Sequence, residues 1–171
     1  IMPGEPGAGK STLTAALMLS GWRLLSDELA LIDRDDGLLV GLARPVSLKN
    51  ASIEVIRGFD ASAQLGESAY DTHKGTVNHL RPSALSVAQV GRKGRPAHVV
   101  FPRWQAEAPT SLTARSKADA FEHLANHAFN FSLLGRLGFQ LNAALIESCD
   151  CWDFRYSRLD EALAVFEGLC T

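Results

Sequence analysis

Cysteine is scarce in this chain, with three residues (Cys149, Cys151 and Cys170) in 171. So few thiols, gathered near one end, cannot form a disulfide framework, and they read as reduced thiols in a cytoplasmic protein. Cys149-x-Cys151 has no second pair at ligand spacing, so a structural zinc site is not expected. Long apolar runs are missing as well. None approaches the roughly 20 residues that cross a bilayer, and no basic segment with an apolar run and cleavage site opens the chain. Neither a membrane partner nor export is expected. Internal repeats and low-complexity tracts are also lacking, which sets aside solenoids and fibres.

What is present suits a globular protein: 46% hydrophobic and 21% charged residues. Residues 1–171 are expected to form a single domain, long enough to bury a core. Net charge is −2, unevenly spread, with residues 71–103 at +5 between flanks of −3 and −4. Such a segment suits an anionic ligand or partner, and an ordinary solvated basic loop would carry the same charge. It has little aromatic interleaving, so single-stranded nucleic acid is not an expected partner.

Periodicity gives a mixed α/β order. "GKSTLTAALMLSG" puts Leu13, Ala16, Leu17 and Ser20 on one helical stripe, with Gly21 as a natural stop. "RLLSDELALID" fits a strand that bends at its acidic pair, "DRDDG" a turn, and "LLVGLA" a returning strand. "SIEVIRGF" reads as a short helix. Residues 60–84 hold no clean period and read as a long loop region. "ALSVAQV" and "AHVVF" read as a pair of strands. From Ser116 the pattern turns helical, with a serine N-cap and an acid three residues on. "GRLGFQLNAALIES" is a further helix, "CWDFRYS" a strand and "SRLDEALAVFEGL" a final helix.

The sharpest signal is "GEPGAGKST". Gly4-x4-Gly9-Lys10-Ser11 satisfies the full phosphate-loop pattern. Glycines let backbone N–H groups curl around an anion without a Cβ clash. The helix that follows points its positive end at the phosphates. Lys10 then reaches the β and γ oxygens, and the Ser11 hydroxyl can hold Mg²⁺. Gly4, Glu5, Pro6, Gly7, Ala8, Gly9, Lys10, Ser11 and Thr12 are the expected nucleotide-binding residues. The pattern normally follows a buried strand. Ile1-Met2-Pro3 is a short stub of one, so the natural N-terminal portion is expected to be lacking.

Phosphoryl transfer also needs a carboxylate for the metal and a base for the acceptor. Asp27 and Glu28 follow Lys10 by 17 and 18 residues. That leaves room for one helix and a connection, so the acids are expected on the next strand. "LLSDELALI" encloses them in apolar residues, where two carboxylates without a cation would be costly.

With these residues the chain resembles the HPr kinase/phosphorylase superfamily, which is similar in turn to PEP carboxykinases. "RPVSLKN", "THKGTVNHLRP", "FPRW" and "RYSRLDEAL" resemble in particular the HPr-kinase-related proteins called HprK-related kinase A, with lasso-peptide kinases as neighbours. The resemblance implies a P-loop α/β domain with a mixed twisted sheet flanked by helices. It also implies ATP and Mg²⁺, a serine acceptor on a protein or peptide, and a possible homo-oligomer. Asp27 matches the first of two tandem aspartates in HPr kinases and would serve as base and, with Ser11, as metal ligand. Glu28 stands where the family has the second aspartate and would support it.

Other basic residues are candidates for contacting substrate or phosphate. Lys49 in "SLKN" could reach a phosphate or hydroxyl. His73, Lys74 and Arg81 lie in a stretch that could fold over the γ-phosphate. Arg103, just past "HVVF", could neutralise transition-state charge. His123 and His127 are four apart on an expected helix, but without an acid or cysteine partner they read as ordinary histidines rather than zinc ligands. The expected function is ATP-dependent transfer of the γ-phosphoryl group to a hydroxyl. The alternatives are a nucleotide-dependent regulatory module without transfer, or a small-molecule kinase.

Overall fold

A computed structural model describes residues 1–170 of the chain. The order of elements is mixed α/β, as expected, with the strands divided among three small sheets flanked by helices. The chain forms two compact units. One comprises Ile1–Gly9, Ile32–Leu39 and the residues from Gly94 onward; the other comprises Lys10–Leu31 and Val40–Lys93. A hairpin of β1 (Leu31–Ile32) and β2 (Leu39–Val40) makes up the smallest sheet. Its turn falls within the expected "DRDDG", where the Gly37 N–H donates to the Asp33 carbonyl at 3.0 Å.

In the unit that begins at Lys10, α1 (Lys10–Leu19) buries Leu13 through Met18. It ends as its glycine foretells. Gly21 takes φ +97°, and the Gly21 and Trp22 N–H groups turn back to the Met18 and Leu17 carbonyls. α1 packs on α2 (Ala51–Phe59) and on β3 (Val46–Lys49). β3 pairs antiparallel with β5 (Gly75–Leu80), which pairs in turn with β4 (Ala69–Thr72). Register sets Val46 opposite Leu80, Ser47 opposite His79 and Leu48 opposite Asn78. Because strand side chains alternate, Val46, Leu48, Asn78 and Leu80 share the buried face, while Ser47 and His79 share the open one.

Three expectations need correction in this unit. Residues 60–84 are not a plain loop, for they contain the β4–β5 hairpin. Thr72 closes its turn, donating to the Gly75 carbonyl at 2.6 Å and accepting from the Lys74 N–H at 3.1 Å. "ALSVAQV" supplies no strand but α3 (Ala84–Ala88), started by the Ser83 hydroxyl accepting the Ser86 N–H. "RLLSDELALID" pairs as a strand only at Leu31–Ile32. Ahead of that, side-chain oxygens take the place of a ladder: Ser86 Oγ accepts the Leu24 N–H at 2.9 Å, and Ser26 Oγ accepts the Leu29 N–H at 3.1 Å.

The other unit is built on β6 (His98–Trp104), which runs parallel to β8 (Asp150–Tyr156); β7 (Ser111–Ala114) flanks β8 antiparallel. Ile1 lies along β6, donating to the His98 carbonyl and accepting from the Val100 N–H, both at 2.8 Å. The helices are α4 (Lys117–His127), α5 (Phe131–Leu134), α6 (Arg136–Ser148) and α7 (Leu159–Gly168). Ser116 caps α4 as expected, accepting the Asp119 N–H at 3.1 Å. Val99, Phe101, Ala120, Leu145, Ile146, Cys149 and Cys151 form the core. Burial raises both thiols above the ordinary cysteine range, as befits inert core residues. No helix among the described residues is long and apolar enough to cross a membrane.

Fully buried Asn78 fixes the loop beside the β3–β5 sheet. Its Nδ2 donates to the Gly66 carbonyl at 3.0 Å and to Ser68 Oγ at 2.8 Å. Asn78→Ala removes both bonds and leaves a small cavity. It should destabilise the protein by about 2–3 kcal/mol, read as a lower urea midpoint at an unchanged slope.

Candidate functional site

The glycine strap, Gly4–Gly9, is anchored by its own unit. The Trp104 N–H donates to the Ala8 carbonyl at 3.0 Å, and the Tyr156 hydroxyl donates to the Gly9 carbonyl at 3.0 Å. Gly9 has φ +89°, and a Cβ there would lie 2.5 Å from the Tyr156 oxygen and 2.8 Å from Trp104 Cβ. Only glycine fits. Burial pushes the Tyr156 phenol well above the ordinary tyrosine range, so it stays a neutral donor.

Sequence reasoning missed a third anchor of the strap. His127 Nε2 lies 3.1 Å from Glu5 Oε1, and its Nδ1 lies 2.8 Å from the His123 carbonyl. Both ring nitrogens thus face acceptors. His123 stacks on it with centroids 4.5 Å apart. Burial first, and then His127, hold His123 below the ordinary histidine range. The partner acid that looked absent for these histidines is Glu5, 122 residues away, a separation that no local spacing rule could bridge.

Lys10, Ser11 and Thr12 open α1 in the other unit, where the acidic pair also lies. Asp27 is half-buried. Its Oδ2 accepts the Ser47 N–H at 3.2 Å, while Oδ1 is buried with no hydrogen-bond partner. Desolvation raises its pKa above the ordinary aspartate value. The Ser47 N–H, the Ser11 hydroxyl and Lys10 work against that shift, and Glu28 adds to it. Glu28 itself is exposed, so the enclosure expected for both acids holds for Asp27 alone. Neither acid sits in a regular strand.

A cleft of about 230 Å³ opens at Asp27, lined also by Glu28, Arg44, Ser47 and His79. Arg44 and His79 were not singled out from the sequence. Their signal is the β3–β5 register, which sets His79 opposite Ser47 and cannot be read from either segment alone. Lys49 ends β3, exposed; His73 and Lys74 form the exposed β4–β5 turn. Arg81 lies just past β5, its guanidinium donating to Gln64 Oε1 at 3.0 Å. Arg103 is exposed near the end of β6, in the unit of the strap.

The oxygens fit Mg²⁺. A buried carboxylate oxygen without a partner, near a serine hydroxyl, is a hard donor pair, and this metal takes one or two protein ligands and completes its shell with phosphate and water. No group of three or more His, Cys, Asp or Glu suited to a metal occurs among the described residues. Comparison of the chain with protein-family models, curated proteins and solved structures finds no match.

Desolvation at Asp27 has a stability consequence. The folded-state pKa lies above the unfolded one, so ionisation costs stability at pH values above the folded value. That penalty shrinks as pH falls through the folded value and is gone below the ordinary 3.8. Asp27→Asn keeps an oxygen for the Ser47 N–H and removes the desolvated charge. It should therefore stabilise the apoprotein at pH 7 by on the order of 1 kcal/mol. Denaturant titrations at neutral pH and near pH 4 should show the gain shrinking on acidification.

Proposed function

We propose that this protein is an ATP-dependent kinase of the HPr-kinase-like P-loop type, transferring the γ-phosphoryl group to a serine hydroxyl on a protein or peptide. The observation that carries the reading is the environment of Asp27: a desolvated carboxylate with one oxygen held by Ser47 and the other without a partner, beside Ser11 and Lys10. A carboxylate raised in pKa by burial is a better proton acceptor than a solvated one. The strap with its tailored Gly9 supports the nucleotide half of the reading.

In this scheme the N–H groups at the start of α1 receive the phosphates. Lys10 offsets charge on the β and γ oxygens. Ser11 and Asp27 would hold Mg²⁺, which when bound draws off charge as the leaving oxygen departs. The acceptor hydroxyl oxygen attacks the γ-phosphorus and forms the new P–O bond. The bond from that phosphorus to the β–γ bridging oxygen breaks, its electron pair leaving with ADP. The hydroxyl proton passes to Asp27. Most of the work is positioning and charge stabilisation, as phosphoryl transfer requires. On this reading the enzyme works in the cytoplasm.

The test combines γ-labelled ATP with protein and peptide acceptors. Asp27→Ala should retain ATP binding by calorimetry, while its transfer rate falls by about 10²–10⁴-fold. Lys10→Ala should weaken both. Label found only as free phosphate would overturn the kinase reading in favour of a nucleotide-dependent module; transfer unchanged in Asp27→Ala would overturn the role given to Asp27.

A further inference from the structure

The Asp27 cleft does not end at the acids. His79 lines both it and a second opening of about 330 Å³, whose lining also includes Pro45, Gln64 and Arg81. Pro45 too borders both. The surface therefore runs from the cleft that holds Asp27, Glu28, Arg44, Ser47 and His79 to the opening that holds His79 and Arg81. The acids line the first part alone, whereas basic side chains line both.

The basic residues are not spent on neighbours. Among the described residues Arg44 makes no ion pair and is exposed; Arg81 bonds only the neutral Gln64 side chain. Neither engages Asp27 or Glu28, although Arg44 lines the same cleft as both. His79 is likewise exposed and makes no side-chain hydrogen bond or ion pair among the described residues. Its position is firm nonetheless. Register fixes it opposite Ser47, the residue whose N–H holds Asp27, and directly opposed residues on one sheet face stand about 5 Å apart. An unpaired arginine and a histidine thus line one cleft with the proposed base.

Resting on the kinase reading above, we propose that Arg44 and His79, with Arg81 beyond them, form an acceptor subsite for an acidic peptide segment, and that the serine phosphorylated at Asp27 is flanked by glutamate or aspartate. Two carboxylates at the catalytic end would repel such a segment if it lay over them. The basic end draws its charge past them and leaves the serine, one or two residues away, over Asp27. A neutral or basic segment gains nothing from the far end and, if basic, is held against Glu28 instead.

The test uses the full chain with three serine-centred peptides that differ only in their flanks: glutamate, alanine or lysine. A free hydroxy acid serves as a fourth acceptor. Wild type should favour the glutamate peptide over the alanine one by about tenfold in kcat/KM, mainly through KM, with the lysine peptide poorest. Arg44→Glu should reverse the order of the glutamate and lysine peptides. His79→Gln should narrow the preference, and ATP affinity should be unaltered in both. Equal kcat/KM for the three peptides, or an equal loss for all three in Arg44→Glu, would overturn the subsite while leaving the kinase reading intact. Preference for the free hydroxy acid would overturn the peptide assignment. ATP bound with no acceptor labelled would overturn the kinase reading, and the subsite with it.

Discussion

One carboxylate sets the terms for everything proposed about this chain. Asp27 is held with one oxygen buried and without a partner, and a buried polar atom in that state costs about 1–3 kcal/mol. Folding alone gives no return on that expense, since an asparagine would serve the Ser47 N–H as well. The cost becomes intelligible when a cation or a proton completes the site. Lys10 and Ser11, at the start of α1, supply the electrostatic reason that the group stays available for either.

The strap shows the same economy in its own unit. Gly9 is shaped by Tyr156 and Trp104, Ala8 by the Trp104 N–H, and Glu5 by His127. These contacts come from β6, β8 and α4, three elements far apart in sequence. Within the strap the Ala8 N–H donates to the Glu5 carbonyl at 3.3 Å, and the contacts from β6, β8 and α4 impose the rest of its conformation from outside.

Elements whose signals are local were legible in the sequence: α1 with its Gly21 stop, α4 with its Ser116 cap, and the "DRDDG" turn. The glycine strap of residues 4–9 is a contiguous pattern and was singled out directly, although its anchors on β6, β8 and α4 were not. The hairpin at 69–80 was not, because its alternation is written in Asn78, His79 and Thr76 rather than in apolar residues, and its burial depends on Asn78 finding Gly66 and Ser68. "ALSVAQV" misled because a short helix of small and β-branched residues has a strand-like composition; the deciding signal was Ser83 in front of it. Asp27 was found by spacing, but its surroundings were misjudged. An apolar flank in sequence enclosed only one acid in space.

Ser47 explains why the acid and the basic surface belong to one device. Its backbone N–H fixes the Asp27 carboxylate, and its place in the register fixes His79 across the strand pair. A one-residue slip of β3 against β5 would turn Ser47 to the wrong face and away from His79, breaking the hold on Asp27 and parting the two residues together. The buried face forbids that slip, because Val46 and Leu48 would have to leave the core. Hydrophobic burial on one side of the sheet therefore sets the geometry of the charged groups on the other. That is how a chain with so little local signal over residues 60–84 can still hold a well-defined cleft.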